Sequence, residues 1–82
     1  MFINKTKDGK NNLCGSKVAE LRLQMGISQR ELADRLQILG LDVDKNAIQR
    51  IEAGKRFVTD IEIVFFCKVF GRNYCELLPE IK

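Results

Sequence analysis

The chain has no histidine, one tyrosine and one proline among its 82 residues. The missing histidine removes the commonest metal ligand and the one side chain whose charge ordinarily changes near neutral pH. No nucleophile stands beside a base, and neither a phosphate-cradling loop nor a clustered acidic pair is present, so an enzyme is not expected. The cysteines are Cys14, Cys67 and Cys75, an odd number without Cys-x-x-Cys spacing. That pattern excludes a disulfide scaffold and a structural zinc site, and a reducing cytoplasmic setting is expected. Tyr74 stands alone, and the phenylalanines mostly serve the core, so no stacking platform for RNA is offered. No apolar run is long enough to cross a bilayer, and the opening Met-Phe-Ile is too short for a signal-peptide core. No cofactor, metal or membrane partner is expected.

What remains is a short chain with 45% hydrophobic and 30% charged residues, a globular balance with room for one compact domain. The net charge of +3 is mild. Its distribution is more informative. Lys5, Lys7 and Lys10 stand against Asp8 near the N-terminus, and Lys45, Arg50, Lys55 and Arg56 stand against Glu52 in a central segment. The stretches 17–44 and 57–82 are close to neutral, so positive charge gathers in two places.

Residues 1–15 lack a period and read as an N-terminal arm or loose lead-in; residues 16–82 read as the folded domain. Ser16 is expected to cap a helix over 17–25, with Val18, Leu21 and Met25 on one face and Gly26 as its stop. Ser28-x-x-Glu31 has the form of a capping box opening a second helix, whose stripe is Leu32, Ala33, Leu36 and Leu39. Gly40 ends it, and Leu41 and Val43 are expected to plug the core from the connection. Asp44 is expected to cap a third helix over about 45–53 that buries Ala47, Ile48 and Ile51. Thr59-x-x-Glu62 opens a fourth helix with Ile63, Phe66, Cys67 and Phe70 inward, and Asn73-x-x-Glu76 a short fifth that Pro79 terminates. The expected fold is all-α, with five helices and short connections.

The third helix carries the functional signal. Its outer face presents Lys45, Asn46, Gln49 and Arg50, since 45 with 49 and 46 with 50 are i, i+4 pairs. No acid stands among them. Arginine pairs bidentately with guanine, and asparagine or glutamine with adenine, which makes these four the base-reading candidates. Lys55 and Arg56 follow Gly54 and are candidates to grip the phosphate backbone, which sets register rather than sequence. A polar surface helix without any ligand presents a similar face.

Residues 17–78 resemble the XRE family of helix-turn-helix regulators, the phage repressors and Cro proteins, with their λ-repressor-like DNA-binding fold. The matching residues are Val18-x-x-Leu21-Arg22, Ile27-Ser28-Gln29-x-x-Leu32-Ala33, Ile48-x-x-Ile51-Glu52-x-Gly54-Lys55-Arg56 and Glu76-Leu77-Leu78. The resemblance implies that the third helix enters the major groove. It implies that Gln29 contacts phosphate and braces that helix, with Arg30 beside it on the phosphate side. It also implies that Arg22 and Glu52 form a partly buried ion pair holding the first and third helices in register. Residues 37–43 depart from the compact members by lengthening the second helix and its turn.

A transcriptional regulator of this kind is expected to bind a near-palindromic double-stranded DNA operator as a homodimer, most simply as a repressor. Ile61, Phe65 and Tyr74 are the dimer-contact candidates, with Phe2 and Ile3 in support; packing of Phe65 under the arm is the equal alternative. The rival class is a protein-binding module, such as the antitoxin of a toxin–antitoxin pair.

Overall fold

The computed structural model describes residues 5–78, and these form five helices. They are α1 (Gly15–Gln24), α2 (Gln29–Leu39), α3 (Lys45–Glu52), α4 (Asp60–Phe70) and α5 (Tyr74–Leu77). Local chemistry sets most of their ends. Ser28 Oγ accepts from the Glu31 N–H at 3.0 Å, and Asp44 Oδ1 accepts from the Ala47 N–H at 2.8 Å. At α4 the exchange is reciprocal: the Glu62 N–H donates to Thr59 Oγ1 at 3.2 Å and the Thr59 N–H to Glu62 Oε1 at 2.9 Å. Each such cap satisfies a helix-end donor and stabilises by about 1 kcal/mol.

Three local expectations are corrected. Ser16 lies inside the first turn of α1; the N-cap position is Cys14, which makes no side-chain cap bond. Asn12 supplies the missing acceptor, its Oδ1 taking the Gly15 N–H at 2.8 Å. The Ser28 box is one-sided, because Glu31 turns outward to Arg35 Nη2 at 2.8 Å. Met25 and Leu39, counted in the apolar stripes, lie at helix ends that run past the core, and Leu39 is 42% exposed.

The core is a single cluster. Val18 and Leu21 of α1, Leu32, Ala33 and Leu36 of α2, and Ile48 and Ile51 of α3 meet Phe66 of α4 and Leu77 of α5. Val43 is buried from the α2–α3 connection, with Leu41, Ala47, Ile63, Cys67 and Phe70 packed around the edge. Burying each large side chain removes apolar surface from water and contributes about 1.5–3 kcal/mol. Helix α3 lies between α1 and α2, α4 packs against α2, and α5 closes against α1 and α4. One face of α3 is therefore committed to the core and the opposite face is left to solvent.

The segment read as a loose lead-in is anchored over its described part. Residues 6–10 close on themselves, with the Thr6 N–H donating to Lys10 O at 2.8 Å and the Gly9 N–H to Thr6 O at 3.0 Å. The Asn11 N–H then donates to Gly54 O at 2.7 Å, and Cys14 is buried. Pro79, Phe2 and Ile3, to which roles were assigned from the sequence, lie outside the described residues.

Candidate nucleic-acid interface

A helix turns about 100° per residue, so burying Ile48 and Ile51 forces 45, 46, 49 and 50 outward. All four are exposed. Asn46, Gln49, Arg50, Ala53 and Lys55 line one open concavity of about 470 Å³. Lys45 stands at the first turn, outside that lining. The concavity carries two amides, two cations and no carboxylate, a donor-rich surface suited to base edges beside phosphates.

Behind this face, two side chains converge on Glu52. Arg22 Nε donates to Glu52 Oε2 at 2.7 Å and Arg22 Nη2 to Oε1 at 3.1 Å, a two-pronged pair. Gln29 Nε2 donates to the same Oε1 at 3.0 Å. Arg22 Nη1 also donates to Ile27 O at 2.9 Å, reaching the turn that opens α2. The hydrogen bonds it donates to Glu52 raise the Arg22 pKa, against the opposing effect of burial. Gln29 thus spends one amide hydrogen bracing α3 through Glu52, and its second remains for another acceptor.

The turn after α3 is built from the backbone outward. Gly54 adopts φ 75°, which side-chain-bearing residues rarely tolerate. Its N–H donates to Ile51 O at 3.0 Å, and the Lys55 N–H reaches back to Arg50 O at 2.9 Å. This is a Schellman closure, which satisfies carbonyls that the end of α3 would otherwise leave bare. It presents Lys55 to solvent on the rim of the α3 concavity.

Arg56 is placed differently from Lys55. Its Nη2 donates to Glu62 Oε2 at 2.9 Å and its Nη1 to Phe57 O at 3.1 Å. Its guanidinium therefore joins the α3 turn to α4, and a phosphate would have to compete with Glu62 for it. Burial opposes ionisation of Glu62, but the Arg56 and Thr59 hydrogen bonds outweigh it and hold its pKa below the ordinary value. Sequence reasoning missed this pair, because residues 56 and 62 straddle a helix start and share no regular spacing. Asn12 was also missed, although an asparagine three residues before a helical N–H is itself a capping signal.

Arg30 is exposed in the first turn of α2. Ile61 and Tyr74 are 66% and 63% exposed. Phe65 is half-buried with Lys68 Nζ 5.3 Å from its ring centroid. Ile61 and Phe65 share a face of α4, whereas Tyr74 stands beyond its far end. Among the described residues no group of three or more acids and cysteines is placed to hold a metal ion, and no helix is long and apolar enough to cross a membrane.

No curated protein and no solved structure matches the chain. The family described as Helix-turn-helix matches it over residues 18–77, from the core valine of α1 to the buried leucine of α5. With the α2–turn–α3 unit placed against one core and the match spanning most of the chain, the protein belongs to the helix-turn-helix family, of the XRE type.

Proposed function

We propose that this protein is a sequence-specific regulator of transcription, a repressor acting as a homodimer on a near-palindromic operator in the cytoplasm. DNA binding accords with its family. The observation that supports the finer reading best is the outer face of α3, where Asn46, Gln49 and Arg50 share a concavity with Lys55 and no acid. In this reading α3 lies in the major groove. Lys45, Asn46, Gln49 and Arg50 meet base edges, and Gln29, Arg30 and Lys55 meet phosphates. Arg56 joins them to the extent that it leaves Glu62. The Arg22–Glu52 pair touches no DNA and keeps α3 at a constant angle to α1.

The mechanism is occupancy: the protein sits on its operator and blocks polymerase, performing no chemistry. One monomer presents few base contacts, and a two-fold dimer doubles them across half-sites about 34 Å apart. Ile61 and Phe65 are the proposed centre of the dimer contact, with Tyr74 at its margin.

Selection of bound duplexes from a random pool, at near-physiological salt, tests this function directly. Enrichment of an inverted repeat supports it. Recovery of unenriched DNA, or none, favours the alternative of a protein-binding module such as an antitoxin. The exposed Ile38, Ile61 and Tyr74 would then be the surface to probe with a partner protein.

A further inference from the structure

Asn12 joins three separate stretches of backbone. Its Oδ1 accepts the Gly15 N–H at the start of α1, at 2.8 Å. Its Nδ2 donates to Ile51 O, in the last turn of α3, at 3.1 Å, and to Arg56 O, beyond the turn, at 2.8 Å. Asn11 works beside it, its N–H on Gly54 O at 2.7 Å and its Nδ2 on Lys55 O at 3.0 Å. The carbonyls of residues 54, 55 and 56 are thus all held by this pair. The amides of 54 and 55 are held by the Schellman bonds, so the turn is gripped on both edges.

The fit around this junction is close. A Cβ on Gly15 would run into the Ile51 carbonyl oxygen, so α1 approaches the end of α3 as only glycine allows. The stem of Lys10 covers Gly54, within 2.8 Å of where a Cβ there would stand. On the other side of the same turn, Lys55 enters the concavity that Asn46, Gln49 and Arg50 line. Asn12 is not part of that lining. It stands behind the surface, tied to the backbone that carries it.

We infer that Asn12 is a positioning residue for DNA recognition, setting the end of α3 and the Lys55 turn against α1 so that they meet DNA already ordered. This rests on the proposed DNA binding. Helix α3 has other anchors in the buried Ile48 and Ile51 and in the Arg22–Glu52 pair, so losing the Asn12 amide releases the Ile51 and Arg56 carbonyls and loosens the turn while leaving the helix in place. A turn that must be ordered on binding charges that entropy against the specific complex, where every contact has one required position. Non-specific complexes, held by exchangeable phosphate contacts, feel it less.

The test compares Asn12→Ser with the unaltered protein, at a temperature where circular dichroism shows both fully folded. Serine keeps an acceptor for the Gly15 N–H and lacks the reach to bridge Ile51 and Arg56. Fluorescence anisotropy is read on the duplex selected from the random pool and on a scrambled duplex of equal length. The expected result is a loss on the order of tenfold on the selected duplex. Binding to the scrambled duplex stays within about twofold. Ile63→Val, a core change on α4 away from the junction, controls for lost stability and should bind like the unaltered protein.

Selected-duplex binding by Asn12→Ser equal to the unaltered protein overturns the inference, as does an equal loss on both duplexes or in the core control. If Asn12→Ser does not fold, Asn11→Ala, which releases only the Lys55 carbonyl, decides by the same comparison: a selective loss supports the inference and none overturns it. If the unaltered protein selects no duplex at all, the DNA-binding function itself fails, a result separate from any outcome with the variants.

Discussion

Arg22 and Glu52, thirty positions apart, close a two-pronged ion pair between α1 and α3 with their side chains only 13% and 8% exposed. Gln29 completes the ring from the first turn of α2. The three helices that must keep their mutual angles for the groove-facing surface to hold its shape are therefore joined at one carboxylate. Removing either partner leaves the other charge buried and unpaired. Arg22→Ala and Glu52→Ala should each lower stability by about 3–5 kcal/mol, while replacing both by apolar residues of similar volume costs far less. Urea midpoints of the three variants check this, and an additive double variant would contradict it.

Arg50 points the other way, into solvent, and its effect should fall on binding alone. Arg50→Ala should leave the melting temperature within experimental error. It should weaken binding to the selected duplex by about 1–3 kcal/mol, with relaxed preference at one base position. Lys55→Ala should instead weaken all duplexes alike and make the salt dependence shallower by about one charge. Anisotropy titrations at several salt concentrations separate the two behaviours.

Glu62 predicts an acid response. Its folded pKa is lowered, so its ionised form contributes stability that is fully present above the unfolded value near 4.5 and is lost as pH falls through the folded value. Denaturant midpoints should therefore drop below about pH 4.5, through Glu62 among other carboxylates. Glu62→Gln should be less stable at pH 7 by about 1–3 kcal/mol, because Arg56 loses a charged acceptor. That deficit should shrink as the pH is lowered toward 3. A deficit that stays constant with pH would remove Glu62 from the account.

The three thiols should react in order of exposure. Cys75 is exposed, Cys67 half-buried and Cys14 buried. Burial pushes the Cys14 thiol up to about 11, and its neighbour Glu62 adds to the rise. Because the thiolate is the reactive form, Cys75 should be modified quickly at pH 8, Cys67 more slowly, and Cys14 only as fast as the chain unfolds. Timed labelling followed by mass spectrometry reads all three, and denaturant should make them equal.

The helices and their order were legible because their signals act over five residues or fewer. Ser28, Asp44 and Thr59 cap the amides three positions ahead, and glycines 26, 40 and 71 stand where helices close. The same short range exposes the groove-facing set. Once Ile48 and Ile51 are inside, helix geometry alone turns Asn46, Gln49 and Arg50 outward. Errors came where two local partners competed: Glu31 prefers the Arg35 guanidinium to the Ser28 amide, and Ser16 yields the start of α1 to Asn12.

The sequence by itself determined the all-helical architecture, the core face of each helix and the polar face of α3, since periodicity and capping are properties of neighbouring residues. The tertiary structure alone decided that Arg56 turns to Glu62, that the brace expected of Gln29 ends on the Glu52 carboxylate, and that Asn11 and Asn12 grip the turn behind the groove-facing surface. Those bonds join positions whose separation along the chain follows no period. A side chain's hydrogen bond has a reach of a few ångströms, and only packing of the whole core brings such distant backbone within it.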